Sequence, residues 1–173
     1  AERFVRLIRA PAYHEPLIVD VGCGPGRDSA LLRLAGAHPL RLDLSHAMLR
    51  VAAKLERGPL LQADMRRLPL GSRSADAVWC FAALGHLPPA AGLDALHEFA
   101  RILDRGWLYV VVQQGAGPRL VAEAGTEPRF LTEFSLEGLE AELGEVGFSV
   151  QERHVWPSTD GRRWLHLIAR LPD

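Results

Sequence analysis

Residues 20–26 read Asp-Val-Gly-Cys-Gly-Pro-Gly, and this stretch decides the fold. It follows the apolar, β-branched run 17–21, which is typical of a buried parallel strand, and it precedes a leucine-rich segment at 29–34 that is typical of a helix. Glycines at such a strand-to-helix turn let the backbone bend sharply and approach a ligand, while the helix N-terminus offers N–H groups to an anion. The sequence therefore predicts a small-molecule binding loop at this turn.

The spacing of the glycines narrows the class of ligand. A dinucleotide-binding loop has the pattern G-x-G-x-x-G, whereas Gly22, Gly24 and Gly26 alternate and position 27 is Arg. The pattern favours a ligand without a pyrophosphate, such as one that presents a carboxylate. A dinucleotide-dependent oxidoreductase is the disfavoured alternative.

Strand-like and helix-like segments alternate along the rest of the chain. The predicted strands are 17–21, 39–43, 60–63, 75–81, 108–112, 148–155 and 164–170. The predicted helices are 1–10, 29–34, 45–55, 88–103 and 135–146. In the helix at 45–55 the spacing predicts an apolar stripe made of Ala47, Met48, Val51, Ala52 and Leu55.

This order of elements predicts an α/β fold. Five strand–helix steps followed by a hairpin indicate a doubly wound, mostly parallel seven-stranded sheet with an antiparallel C-terminal hairpin and helices on both faces. At 173 residues, the chain is expected to form a single domain over 1–173, beginning with a short amphipathic helix at 1–10.

Acidic residues lie at three successive strand ends. Asp20 precedes the glycines, Asp43 ends the second strand and Asp64 follows the third. Doubly wound sheets bind ligands at the C-terminal ends of their strands, where Asp43 could accept hydrogen bonds from both hydroxyls of a ribose. Asp64 is placed to accept from an adenine amine, and Asp20 is expected near a cationic end of the ligand. One such acid alone is as often a solvated or capping carboxylate, but three together favour a shared site.

These residues and several later segments resemble the motifs of class I (Rossmann-like) S-adenosylmethionine-dependent methyltransferases, in particular small-molecule methyltransferases of type 11. Residues 20–26 resemble the first motif, 43–49 the ribose-binding segment and 62–65 the adenine-binding segment. Residues 75–88 and 98–106 resemble the fourth motif and the turn before the fifth strand. The resemblance implies that S-adenosylmethionine is bound and S-adenosylhomocysteine released. The residues it assigns to the cofactor site are Asp20, Gly22, Cys23, Gly24, Gly26, Asp43, Leu44, Asp64, Met65 and Phe81.

Methyl transfer requires few catalytic side chains, because positioning supplies most of the rate and a base is needed only for a protonated acceptor. His86, just past the fourth strand, is the candidate general base; alternatively it caps the next helix or orders the loop. Gln113 and Gln114 end the fifth strand and either face the acceptor pocket or merely terminate the strand. Because the N-terminal helix is short, we expect the substrate side to be open, covered by residues 115–134, or completed by a partner chain.

Composition and charge argue against several classes of function. A net charge of −1 makes a nucleic-acid partner unlikely, and the longest apolar run, 77–84, is too short to cross a bilayer. Cys23 and Cys80 are expected to be reduced and buried, and no cysteine or histidine cluster has metal-ligand spacing. We expect a cytoplasmic methyltransferase acting on a small-molecule acceptor, with oligomer formation possible. The alternative is a non-catalytic S-adenosylmethionine-binding subunit or regulator with the same fold.

Overall fold

The computed structural model describes residues 1–9, 15–121 and 129–172. In this part of the chain the strands are β1 (Leu17–Val21), β2 (His38–Asp43), β3 (Leu60–Gln62), β4 (Ala75–Phe81), β5 (Leu103–Gln113), β6 (Pro118–Val121), β7 (Arg129–Thr132), β8 (Ser149–Pro157) and β9 (Arg163–Arg170). The helices are α1 (Glu2–Arg9), α2 (Arg27–Leu34), α3 (His46–Leu55), α4 (Pro89–Ile102) and α5 (Leu136–Glu145), with a short 3-10 turn at Leu84–His86.

Seven of these strands form one sheet in the order β3-β2-β1-β4-β5-β9-β8. The first five strands in this order pair in parallel, whereas β9 pairs antiparallel to both β5 and β8. The predicted doubly wound sheet with an antiparallel C-terminal hairpin is therefore confirmed. The direction of winding reverses between β1 and β4, which is the point where such sheets bind ligands.

Helices cover both faces of the sheet. On one face α4 and α5 bury Leu96, Phe99, Leu139 and Leu143 in the larger apolar cluster. On the other face α1 and α2 pack against the sheet, and the ring of Phe4 lies 5.5 Å from that of Trp79. None of the helices in the described ranges has the length and apolar character needed to cross a membrane.

The predicted stripe of α3 faces mostly outward, which corrects the sequence-based expectation. Ala52 and the unassigned Leu49 are buried, but Met48, Val51 and Leu55 are 44%, 50% and 56% exposed. The strands that this helix contacts most are β2 and β3, and β3 is a three-residue edge strand. There is consequently little sheet surface to cover the stripe residues other than Ala52.

The start of one strand differs from the prediction, and one pair of strands was not predicted. Strand β5 begins at Leu103, directly after α4, and not at residue 108, so that Gly106 lies inside a strand and not in a turn before it. A Cβ at Gly106 would lie 2.7 Å from the Asp76 carbonyl oxygen, so a glycine permits this close approach to β4. Within the predicted cover at 115–134, β6 and β7 form a separate antiparallel pair, and residues 122–128 lie outside the described residues.

Candidate functional site

The glycine loop leaves β1 with three residues in left-handed backbone conformation. Gly22, Gly24 and Gly26 have φ values of 69°, 52° and 85°. Such angles cost little only for glycine. At Gly22 there is also no room for a side chain, because an added Cβ would lie 2.3 Å from the Cβ of Ala83. The loop therefore passes close against the turn that follows β4.

Backbone and side-chain hydrogen bonds tie this loop to β2. The N–H groups of Gly22 and Cys23 both donate to the carbonyl oxygen of Leu42, at 2.7 and 3.0 Å. The N–H of Gly24 donates to Oδ2 of Asp43 at 2.8 Å. Asp43 thus lies directly beside the glycines, as expected for two parts of one binding site.

The second oxygen of Asp43 anchors the start of α3. Oδ1 accepts from the Ser45 N–H at 2.7 Å, and the Ser45 hydroxyl in turn accepts from the Met48 N–H at 3.4 Å. An ionised carboxylate has about four acceptor positions, so two remain for hydroxyl groups of a ligand. These two hydrogen bonds hold the Asp43 carboxylate in place and leave acceptor positions open for a ligand.

Asp20 lies beneath the glycine loop, 2% exposed, and accepts a hydrogen bond from the Ser29 hydroxyl. Burial raises the pKa of Asp20 to about 7, because the charged form is poorly solvated there. Arg41 on the neighbouring strand opposes this rise. The carboxyl can therefore gain or lose its proton near neutral pH. Asp20 itself lies below the binding site and does not line it.

Asp64 follows β3 and forms an ion pair that the sequence analysis missed. Its Oδ2 lies 2.5 Å from Nη2 of Arg66, and its Oδ1 accepts from the Arg66 N–H at 2.9 Å. The Arg66 guanidinium holds the pKa of the Asp64 carboxyl below its usual range, so Asp64 is ionised at neutral pH. The two-residue spacing was a visible signal, since an Asp side chain commonly accepts from the backbone two residues on.

A cavity of about 410 Å³ joins these strand ends. The predicted site residues that line it are Gly22, Gly24, Asp43, Leu44, Asp64, Met65 and His86. Its further lining residues are Pro25, Leu42, Met48, Ala63, Ala82, Ala83 and Leu87. Of the other predicted residues, Asp20, Cys23, Gly26 and Phe81 lie outside this lining.

Phe81 points to the sheet face that carries α1, away from the cavity. Its ring meets His166 edge-on at 6.0 Å, and Trp156 stacks on the same histidine at 4.6 Å. The hydroxyl of Tyr109 lies 2.7 Å from Nδ1 of His166. Burial and the nearby His154 lower the pKa of His166, so its imidazole is neutral near pH 7.

His86 ends the 3-10 turn at the cavity rim and is exposed. Its backbone N–H donates to the Ala83 carbonyl oxygen at 3.0 Å, which orders the turn. Across from it, the Thr132 hydroxyl at the end of β7 donates to the Leu87 carbonyl oxygen at 2.7 Å. Part of the predicted cover segment therefore lies against the turn that carries His86.

Gln113 and Gln114 lie elsewhere, in a second, open cavity with residues 160–163. Gln113 is buried and its amide donates to Oε1 of Glu133 at 2.7 Å. Oε1 of Gln114 is buried without a hydrogen-bond partner among the described residues. That either glutamine contacts the molecule that receives the methyl group stays a prediction.

The two cysteines are free and buried, as predicted, and burial raises the pKa of each thiol to about 12. Their thiols are therefore protonated and unreactive at neutral pH. In the described ranges, no group of three or more His, Cys, Asp or Glu side chains is arranged to hold a metal ion.

The donors and acceptors of the cavity fit an adenosine ligand that carries an amino-acid end. Its volume of about 410 Å³ lies in the usual range of about 300–1,000 Å³ for small-molecule sites. It combines glycine backbone with two carboxylates, Asp43 and Asp64, and the apolar side chains of Leu44, Met48 and Met65. Such a wall can hold a flat base between apolar groups while the carboxylates bind its polar edge and the sugar.

Comparison with known proteins adds independent information. A model of the methyltransferase domain family matches residues 19–111. Among curated proteins, malonyl-(acyl-carrier protein) O-methyltransferase of Enterobacter lignolyticus is 35% identical over 101 residues, covering 58% of this chain and 39% of the relative. An uncharacterized chloroplastic methyltransferase of Arabidopsis thaliana is 36% identical over 117 residues, covering 58% and 32%. The chain thus spans less than half the length of these relatives.

Among solved structures, the 1,6-didemethyltoxoflavin-N1-methyltransferase of Burkholderia thailandensis superposes with a TM-score of 0.80 at 22% identity. The superposition covers 99% of this chain and 77% of that one. That crystal structure contains 1,6-didemethyltoxoflavin and S-adenosylhomocysteine. At this identity the similarity shows a shared fold.

Proposed function

Because the chain belongs to the methyltransferase domain family, among the class I S-adenosylmethionine-dependent methyltransferases, we propose that it transfers a methyl group from S-adenosylmethionine to a small-molecule acceptor. The observation that carries the proposal is the cavity in which the glycine loop, Asp43 and Asp64 meet at adjacent strand ends. When bound, S-adenosylmethionine supplies a methyl group on a sulfonium that is already activated for in-line displacement.

In this proposal each strand end binds one part of the cofactor. The open acceptor positions of Asp43 take the ribose hydroxyls, since its carboxylate is held in place by the Gly24 and Ser45 N–H groups. Asp64, kept ionised by Arg66, accepts from the adenine amine in place of one of the hydrogen bonds that the Arg66 side chain donates to its two oxygens, and the Met65 N–H binds the base. The glycines Gly22 and Gly24 allow the carboxylate end to approach the backbone closely.

Asp20 provides charge below the loop. In its ionised form it attracts the ammonium end of the cofactor, and a nearby cation favours that form. Cofactor binding should therefore be accompanied by loss of a proton from Asp20 at pH values near its pKa of about 7. Cys23 and Gly26 support the loop from outside the cavity lining.

The proposal gives His86 a role on the acceptor side of the cavity. It lies on the cavity rim beside Ala83, and a neutral imidazole there could take the proton from a hydroxyl or amine acceptor. An acceptor that is already ionised needs no base. The contribution of His86 is therefore expected to depend on the acceptor used.

Two observations support a small-molecule acceptor. A chain with a net charge of −1 lacks the excess of basic residues that is usual in proteins acting on nucleic acids. The named relatives also point this way, since one is called a malonyl-(acyl-carrier protein) methyltransferase and the Burkholderia structure holds 1,6-didemethyltoxoflavin.

The proposal is tested first by calorimetric titration of the purified chain with S-adenosylhomocysteine and, separately, with NAD. We expect one S-adenosylhomocysteine bound per chain and no NAD binding. NAD binding without S-adenosylhomocysteine binding would overturn the proposal in favour of an oxidoreductase.

Turnover is the second test. The chain is incubated with S-adenosylmethionine and a panel of small carboxylates, phenols and nitrogen heterocycles, and S-adenosylhomocysteine is quantified. Product formation with at least one acceptor is expected. Cofactor binding without product across the panel would instead favour the non-catalytic binding subunit.

A further inference from the structure

Arg41 is a fully buried cation next to the proposed cofactor site. It lies in β2, two residues before Asp43, and is 0% exposed. In the parallel pairing of β1 with β2 it is the direct neighbour of Asp20. The sequence places an arginine between two leucines of an apolar strand, where burial of a charge is costly without compensation.

The guanidinium is compensated by carbonyl oxygens at the end of α3. Nη1 donates to the carbonyl oxygens of Ala52 and Glu56 at 2.9 and 3.1 Å, and Nη2 donates to that of Gly58 at 2.9 Å. The last carbonyls of a helix have no partner within the helix, and a cation is favourable at this end of the helix dipole. Arg41 therefore joins the C-terminal end of α3 to β2.

The same helix also packs behind the glycine loop. A Cβ built on Gly26 would lie 3.2 Å from the Cβ of Ala52 and 3.7 Å from Nη1 of Arg41. At its other end, α3 carries Met48, which lines the cavity. The position of α3 thus sets the distance between the glycine loop and the side of the cavity that is lined by Asp43, Leu44 and Met48.

We propose that Arg41 is a positioning residue that sets the geometry of the cofactor cavity through α3. This inference rests on the proposed function, since it concerns the same cavity. The guanidinium is not fully satisfied by these contacts, because its Nε is buried with no hydrogen-bond partner among the described residues. Removing a buried charge that has partners also destabilises a fold, so stability and cofactor affinity have to be measured separately.

The test compares three variants by calorimetric titration with S-adenosylhomocysteine. Arg41→Met removes the charge and all three contacts. Arg41→Lys keeps a charge beside Asp20 but lacks the planar fork that reaches several carbonyls at once. Arg33→Met is the matched control, because Arg33 pairs with the Glu56 side chain at the same helix end without donating to the helix carbonyls.

For Arg41→Met we expect a rise in Kd of about tenfold with an unchanged stoichiometry, the lower end of the effect of residues that orient the ligands of metal sites. Arg41→Lys should show a smaller rise, and Arg33→Met should stay within about twofold of the wild type. A purely structural role predicts something different: partial unfolding lowers the stoichiometry and leaves Kd unchanged.

Three results would overturn the inference. They are an unchanged Kd for Arg41→Met, a Kd for Arg41→Lys equal to that of the wild type, and an equal rise for Arg33→Met. The second would show that charge beside Asp20 matters and geometry does not. If Arg41→Met does not fold, Arg41→Lys against Arg33→Met decides. Failure of the proposed function is distinguishable, because the wild type itself would then not bind S-adenosylhomocysteine.

Discussion

Replacing Asp20 with Asn removes the buried carboxyl below the glycine loop while keeping its shape and its hydrogen bond from Ser29. We expect this substitution to remove a large part of the pH dependence of folding stability. The effect follows from the burial of Asp20, which is 2% exposed.

The magnitude follows from the pKa shift. Burial raises the pKa of Asp20 from 3.8 to about 7, so the folded chain holds this proton more tightly than the unfolded chain. Each unit corresponds to about 1.36 kcal/mol, which gives on the order of 4 kcal/mol in total. Between pH 3.8 and about 7 the folded state binds more protons, so the free energy of unfolding falls as pH rises through this window.

The assay is urea denaturation of wild type and Asp20→Asn across this pH range. The difference between the two should be small near the acid end. Above pH 7 the variant should be the more stable protein, by up to about 4 kcal/mol. Asp160→Asn is the control: this acid is exposed and the hydrogen bond from the Arg162 backbone N–H lowers its pKa, so any stabilisation it gives stays nearly constant across this window and is lost only at lower pH, and the curve of this variant should run parallel to that of the wild type. Parallel stability curves for wild type and Asp20→Asn would refute the reasoning.

Three further predictions concern the cavity. Asp43→Ala should weaken S-adenosylhomocysteine binding by about 1.5–3 kcal/mol in a calorimetric titration, because hydrogen bonds to a charged group are lost. Gly22→Ala should lower the free energy of unfolding in urea by about 2–4 kcal/mol, since its Cβ would lie 2.3 Å from that of Ala83 at a φ of +69°. His86→Gln should lower turnover by about 10²–10⁴-fold with a hydroxyl or amine acceptor, as measured by product formation, and leave cofactor affinity unchanged.

Each of these predictions has its own control and contrary result. Gly24→Ala has a φ of +52° but open space around the new Cβ, so equal losses for both glycine variants would show that the contact with Ala83 is not limiting. Unchanged affinity in Asp43→Ala would place the ribose elsewhere. Full turnover in His86→Gln with a protonated acceptor would assign His86 to ordering the turn.

The sequence alone determined the fold class, the glycine loop and the order of the acids. These features are encoded locally: strands and helices have different apolar periods, and a turn with φ above zero requires glycine. Because parallel strands end at one edge of the sheet, Asp43 and Asp64 could be assigned to one edge without coordinates. The structure brings both to the same cavity.

Only the tertiary structure decided which side chains are covered and what they meet. The stripe of α3 has helical periodicity, yet most of it is exposed because β3 is too short to cover it. Phe81 belongs to the motif but lies against His166, since alternation in β4 turns it to the other face. Arg41, to which the sequence analysis gave no role, is buried and bonded to residues 11 to 17 positions away. Periodicity specifies which residues share a face, but only long-range packing determines what covers that face.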